Sequence, residues 1–339
     1  MARLRGICVA VALAFLTTGV AEAANAARSR PTRPAVADNQ TAYKGAISLD
    51  AATGNILFED RADTVSPPAS MTKLMTFAVL HDLILGGQLK LQTPVTVNAA
   101  DSKIGGTQVW LKEGEVFPVE ELLYAMMIQS ANDAAHALAR TAAGSVPAFV
   151  ELMNAKSKSL GMTHSTFRTP HGLPPSNRRI DESDLTTPRD FALLSRHLLR
   201  NTDVLKYTSV KTRPFGPPVR ATAVEMRNHN NLLGKVAGVD GLKTGFTNGA
   251  GFCLSATAQR NGRRVLVVMM GSPDSHTRDL KVSEFLERGL ASVPAAPMPA
   301  PISADSPIRP APAGAAPASP AAAPPNPDQP TVKFSIPRK

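Results

Sequence analysis

The sequence predicts an α+β fold, because strand-like runs stand near both ends of its central stretch and helix-patterned segments fill the interval. Three observations carry this: a turn-broken pair of strand runs at 42–59, an Ala-, Leu- and Met-rich helical stretch at 118–161, and a second strand pair at 251–271. A sheet built from such distant segments must close around the helices between them.

At the start, Arg3 and Arg5 precede an apolar run from Gly6 to about Val20 and then Ala21-Glu22-Ala23, the layout of a secretory signal peptide over 1–23. The run carries Thr17 and Thr18 and falls short of the roughly 20 apolar residues a membrane helix needs. Residues 24–41 are expected to be a flexible mature N-terminus. Export would leave Cys253 as the one cysteine of the mature chain, since Cys8 lies in the signal, so no intrachain disulfide is expected.

Next, Tyr43–Asp50 and Asn55–Glu59 flank the turn-rich Ala51-Ala52-Thr53-Gly54 and read as a hairpin. Pro67-Pro68-Ala69-Ser70 ends the following loop, and Leu74, Phe77, Ala78, His81 and Leu85 recur at helical spacing until Gly86-Gly87. Ser70 is thus expected to open a buried helix. Gly144 and Gly161 fall where helices of the middle lobe would end. Asn261-Gly262 suits the tight turn of the second hairpin, and 274–290 reads as a closing helix. From Pro294 to Pro330 the chain places 13 of its 29 prolines among alanines, so 293–339 is expected to be a disordered Pro/Ala-rich tail. Its last residues, 331–339, lack the period of an amphipathic helix, and no membrane anchor is expected.

The formal net charge of +10 calls for an anionic partner. Lys and Arg are scattered rather than interleaved with aromatics, which argues against nucleic acid and for an acidic envelope polymer. No His-Glu-x-x-His spacing, Gly-x-Ser-x-Gly elbow, or dinucleotide or phosphate loop occurs, so neither a metal nor a cofactor is expected.

Chemistry concentrates in three motifs. In Ser70-Met71-Thr72-Lys73 the serine and lysine share a helix face, so the amine can take the hydroxyl proton once burial or a second cation such as Lys243 lowers its pKa. Ser130-Ala131-Asn132 follows an apolar segment, where a helix cap explains it equally well. Gly241-Leu242-Lys243-Thr244-Gly245 offers a cation, a hydroxyl and a glycine that lets a substrate approach a strand edge.

In this order the motifs resemble those of penicillin-binding proteins and serine β-lactamases. Their flanks, Pro68–Lys73, Ser130–Asp133, His171-Gly172-Leu173 and Val239–Gly245, resemble the D-alanyl-D-alanine carboxypeptidase family, from about Ala42 to Leu290. The resemblance implies a β-lactamase/transpeptidase-like fold, an antiparallel sheet flanked by helices plus a helical lobe, with a catalytic domain at 42–292. It implies that Ser70 attacks the carbonyl between two D-alanines, that Lys73 takes its proton and that Ser130 relays a proton to the leaving amine. Asn132 would orient the substrate amide, Lys243 and Thr244, helped by Arg278, would hold the terminal carboxylate, and Gly245 would belong to the substrate-binding strand edge. The backbone N–H groups of Ser70 and Phe246 would form the oxyanion hole.

Peptidoglycan stem peptides are then the substrate and β-lactams covalent inhibitors of an exported monomer in the periplasm or cell envelope. A D,D-endopeptidase, a β-lactamase or a silent peptidoglycan-binding protein stays open as an alternative. Two departures stand out: Phe246 occupies a position where some relatives have histidine, and a proline-rich tail follows Leu290 where many relatives continue into a β-rich domain and a membrane-binding helix. His171 and Cys253 read as structural, and Glu182 and Asp184 as weak candidates for a deacylating carboxylate.

Overall fold

The computed structural model describes residues 42–177 and 179–292. The expected signal segment 1–23, the expected flexible segment 24–41 and the expected Pro/Ala-rich tail 293–339 lie outside them.

Strands β1 (Gly45–Asp50) and β2 (Ile56–Asp60) form the expected hairpin. Asp50 shapes its turn by accepting hydrogen bonds from Ala52 N–H and Thr53 Oγ1, both at 2.8 Å. Ser70 does not open an α-helix as the sequence suggested. It sits in a 3₁₀ turn, Ala69–Thr72, and α1 (Lys73–Leu85) begins at the lysine. The tighter turn follows a proline pair and a left-handed Ala69 with φ of +50°. Because side chains three apart eclipse in 3₁₀ geometry, it stacks Ser70 directly against Lys73.

A small ribbon of β3 (Pro94–Thr96) and β4 (Val116–Pro118) brackets α2 (Ala99–Ser102). The helical lobe then comprises α3 (Val119–Tyr124), a π turn at Ala125–Gln129, α4 (Asn132–Ala143) and α5 (Val146–Ser159). Gly144, at φ +77°, ends α4 where a side chain would be strained. Helix α6 (Pro188–Asn201) starts at Thr187, whose hydroxyl accepts the Asp190 N–H at 3.1 Å, and carries proline in its first turn. The short α7 (Leu205–Thr208) and a ribbon of β5 (Thr212–Phe215) and β6 (Val224–Arg227) follow. Three long strands, β7 (Val239–Thr247), β8 (Gly251–Arg260) and β9 (Arg263–Ser272), lead into α8 (Ser275–Ser292).

The main sheet runs β2-β1-β9-β8-β7, antiparallel throughout, which leaves β7 and its Lys243-Thr244-Gly245 at an edge. Both faces of the sheet are covered. On β9, Val265, Val267 and Met269 join Val282, Phe285 and Leu286 of α8, while Leu266, Val268 and Met270 join the larger core that includes Leu74 of α1 and Phe191 and Leu194 of α6. Two-sided burial explains why this strand reads as an unbroken apolar run rather than an alternating one. Each such side chain contributes about 1.5–3 kcal/mol. No helix among the described residues is long and apolar enough to cross a membrane.

Candidate active site

The Ser70 turn is clamped between two glycines. A Cβ added at Gly172 would lie 3.1 Å from Ser70 N and collide with the Ala69 carbonyl; one at Gly245 would lie 3.1 Å from Met71 N and collide with the Pro68 carbonyl. Only backbone without side chains allows the 169–173 loop and strand β7 to close on the turn from either side. That closure sets the Phe246 backbone beside Ser70.

Ser70, Ser130, Thr244, Gly245, Phe246 and Arg278 line one cleft of about 290 Å³. Lys73, Asn132 and Lys243 stand behind its wall, all buried. Lys73 Nζ lies 3.1 Å from Ser70 Oγ and donates to Asn132 Oδ1 at 2.6 Å and to the His171 carbonyl at 2.9 Å. Burial holds its pKa well below the usual lysine value, the charge of Lys243 lowers it further, and Asp133 and Asp184 pull the other way. A neutral amine has two N–H bonds and one lone pair. The two pure acceptors, Asn132 Oδ1 and the His171 carbonyl, use both N–H bonds, and the lone pair is left for the Ser70 hydroxyl.

Ser130 ends the π turn in a left-handed conformation, φ +62° and ψ +32°. A single residue of that hand separates the turn from α4 and points the buried Oγ, which has no hydrogen-bond partner among the described residues, into the cleft it lines. Asn132 is the first residue of α4; its N–H donates to the Thr107 carbonyl at 2.8 Å and its Nδ2 to the Gly105 carbonyl at 2.9 Å. Both residues therefore carry more than a helix cap requires.

Across the cleft, Lys243 Nζ makes one bond among the described residues, to the Thr244 carbonyl at 3.2 Å. Burial brings its pKa down to about 7, helped by the charge of Arg278. Arg278, on α8, is buried and donates Nε and Nη2 to Asp279 Oδ1 at 2.9 and 2.6 Å. The Phe246 ring is 51% exposed and stacks on Phe252 at 4.2 Å.

Sequence reasoning missed three features of this site. His229 lines the cleft, its pKa pushed to about 4 by burial and then by Lys243, Lys73 and Arg278. It has no motif around it. Thr107 brings the 105–111 loop to the rim, and the His171 carbonyl, not its ring, reaches Lys73. The His171 ring Nδ1 accepts the Leu173 N–H at 3.2 Å, in keeping with a structural histidine. Cys253 is buried, with its thiol pushed up to about 11. Asp184 is buried and accepts from Thr72 Oγ1, Arg168 N–H, Thr169 N–H and Thr169 Oγ1 at 2.7–3.0 Å. Glu182 bonds outward to Asn177 at 2.7 Å.

Residues 31–274 match the D-alanyl-D-alanine carboxypeptidase family. The carboxypeptidase DacF of Bacillus subtilis is 31% identical over 247 residues, covering 72% of this chain and 61% of that protein. DacC of Escherichia coli, also a D-alanyl-D-alanine carboxypeptidase, is 34% identical over 293 residues, covering 84% of this chain and 68% of the other. The chain thus spans less than two thirds of the first relative and slightly more than two thirds of the second. Penicillin-binding protein D2 of Listeria monocytogenes, in its ampicillin-bound crystal structure, superposes with a TM-score of 0.65 at 30% identity, over 74% of this chain and 97% of that one.

Proposed function

The chain belongs to the D-alanyl-D-alanine carboxypeptidase family, and we propose that it removes the terminal D-alanine from peptidoglycan pentapeptide stems through a Ser70 acyl-enzyme that β-lactams also form. The observation that carries this reading is the buried, depressed-pKa Lys73 amine 3.1 Å from Ser70 Oγ, with its N–H bonds already committed to Asn132 and His171.

In the proposed sequence, the Ser70 proton passes to Lys73 as Oγ bonds to the carbonyl carbon between the two D-alanines. The backbone N–H groups of Ser70 and Phe246 meet the developing oxyanion, an interaction whose loss typically costs about 100- to 1000-fold in rate. The C–N bond then breaks, and the unpaired Ser130 hydroxyl gives its proton to the leaving amine while recovering one from Lys73. Water attacks the acyl-Ser70 ester, its proton returns through Lys73, and the shortened stem leaves. Lys243 and Arg278, with the Thr244 hydroxyl, supply positive charge and a donor for the terminal carboxylate, and Gly245, whose missing side chain lets β7 close on the Ser70 turn, keeps the strand edge beside the substrate. Asn132 turns its remaining Nδ2 hydrogen towards the substrate amide.

A β-lactamase needs a carboxylate that activates water at the acyl-serine. Asp184 is occupied by Thr72, Arg168 and Thr169, and Glu182 faces away, which favours the carboxypeptidase reading. We place the catalytic domain at 42–292 of an exported, monomeric envelope protein, with 1–23 as its signal and 293–339 as a Pro/Ala-rich tail. Sequencing the N-terminus of the protein recovered from the envelope tests the export reading: a start near residue 24 supports it and a retained Met1 opposes it. Activity is tested by incubating the purified protein with a diacylated Lys-D-Ala-D-Ala peptide and assaying free D-alanine. Release in the wild type is expected; none would overturn the hydrolytic reading.

A further inference from the structure

Trp110 is the only tryptophan of the chain, and its side chain is 59% exposed between the buried Val109 and Leu111. Its φ of +53° is in the left-handed region that bulky residues avoid. Four hydrogen bonds hold it there. Asp133 accepts the Val109 and Leu111 N–H groups at 3.3 and 3.0 Å, and Arg220 donates to the Val109 and Trp110 carbonyls, both at 2.8 Å. Arg220 is itself forked onto Glu115 at 2.5 and 2.7 Å. A largely buried ion pair and a buried aspartate therefore hold strained backbone that pushes a large ring into water. Strain held in place by several independent groups marks a functional position more often than a structural one.

The same anchors carry more apolar surface. Val219 beside Arg220 and Val116 beside Glu115 are 46% and 42% exposed. Thr107 lines the cleft, and Trp110, three residues on, lies within about 11 Å of it. Asp133 also follows Asn132 directly, so one turn of α4 fixes both the amide behind Ser70 and the loop under Trp110.

We propose that Trp110 is a stacking platform for a sugar ring of the glycan strand that bears the substrate stem. The inference rests on the carboxypeptidase reading. A pyranose ring has a flat, C–H-rich face and hydroxyls around its rim; a fixed indole ring matches the face, and the exposed Lys112 and Glu113 beside it offer polar partners for the rim. Four stem residues from the scissile carbonyl to the sugar span at most about 14 Å, so a platform for that sugar has to stand near the cleft rather than across the molecule. Because the backbone is already fixed, little conformational entropy is lost on binding.

The chain's single tryptophan makes the test direct. The probes are a disaccharide-pentapeptide, the same pentapeptide without sugar, and an N-acetylglucosamine tetramer. With Trp110→Ala, KM for the disaccharide-pentapeptide should rise roughly tenfold, the scale of one aromatic contact, with kcat little changed. Hydrolysis of the sugar-free peptide and acylation by penicillin should stay at the wild-type rate, which also reports correct folding, and Trp110→Phe should recover part of the KM. In the wild-type protein the tetramer should shift the tryptophan emission. Equal effects of Trp110→Ala on both peptides, no effect on either, or an emission that ignores the tetramer would overturn the proposal. If the wild type hydrolyses neither peptide, the hydrolytic reading fails, and the emission titration still decides the sugar contact.

Discussion

The two walls of the cleft are built to opposite specifications. On the helical side, Lys73 is fixed by Asn132 and the His171 carbonyl and faces the Ser70 hydroxyl, so every hydrogen-bonding site of its neutral form is assigned. On the strand side, Lys243 is equally buried and has one backbone bond among the described residues, with Arg278 close enough to lower its pKa. The contrast teaches that burial alone does not define a lysine's work: the same desolvation suits an amine surrounded by acceptors to taking a proton, and one beside a second cation to holding an anion.

Removing each lysine should break this contrast differently. Lys73→Ala takes away the proton acceptor and should slow acylation by penicillin by roughly 10²–10⁴-fold, measured by stopped-flow, with the largest effect on the chemical step. Lys243→Ala should act mainly on binding, with a smaller effect on the chemical step because the Lys243 charge also helps hold the Lys73 pKa down. Loss of a charge-assisted hydrogen bond of about 1.5–3 kcal/mol would raise KM for the peptide roughly 10- to 100-fold. Equal effects on kcat in the two variants would erase the distinction between the walls.

The pH profile sharpens the same point. Proton acceptance needs neutral Lys73, so activity is present above its depressed pKa and is lost as pH falls through it. Carboxylate binding needs charged Lys243, so affinity is present below about 7 and declines as pH rises through that value. Lys243→Arg stays charged, so the alkaline limb of kcat/KM near 7 should disappear while the acid limb remains. An alkaline limb unmoved in the variant would assign it elsewhere.

Smallest of all in its effect on chemistry is Leu286→Ala, in the core between α8 and the sheet, remote from the Ser70 turn. It should cost about 2–5 kcal/mol of stability in denaturant melts yet leave the acylation rate of the folded protein unchanged.

Much of this architecture was legible because it rests on local patterns. Asn261-Gly262, at φ +49° and +74°, made the β8–β9 turn readable, and Gly144 marked the end of α4. The order of Ser70-x-x-Lys73, Ser130-x-Asn132 and Lys243-Thr244-Gly245 identified the motif set that the fold gathers at one cleft. What escaped depends on single backbone conformations or on contacts between distant segments. Periodicity cannot distinguish a 3₁₀ turn at Ser70 from the first turn of α1, nor reveal the left-handed Ser130 that points its hydroxyl inward. Helix α6 was not drawn from its sequence, although Thr187-Pro188 is a strong start signal. His229 joins the site only because the segment before β7 folds back over the cleft, and no neighbouring residue announces it.

The central claim, a nucleophile at Ser70 served by a buried neutral lysine, is tested most directly by mass spectrometry of the purified protein after exposure to penicillin, with Ser70→Ala alongside. The account predicts one covalent adduct on the wild type, located to the peptide containing Ser70, and none on the variant. An adduct that persists in Ser70→Ala, or its absence from both proteins, would contradict it.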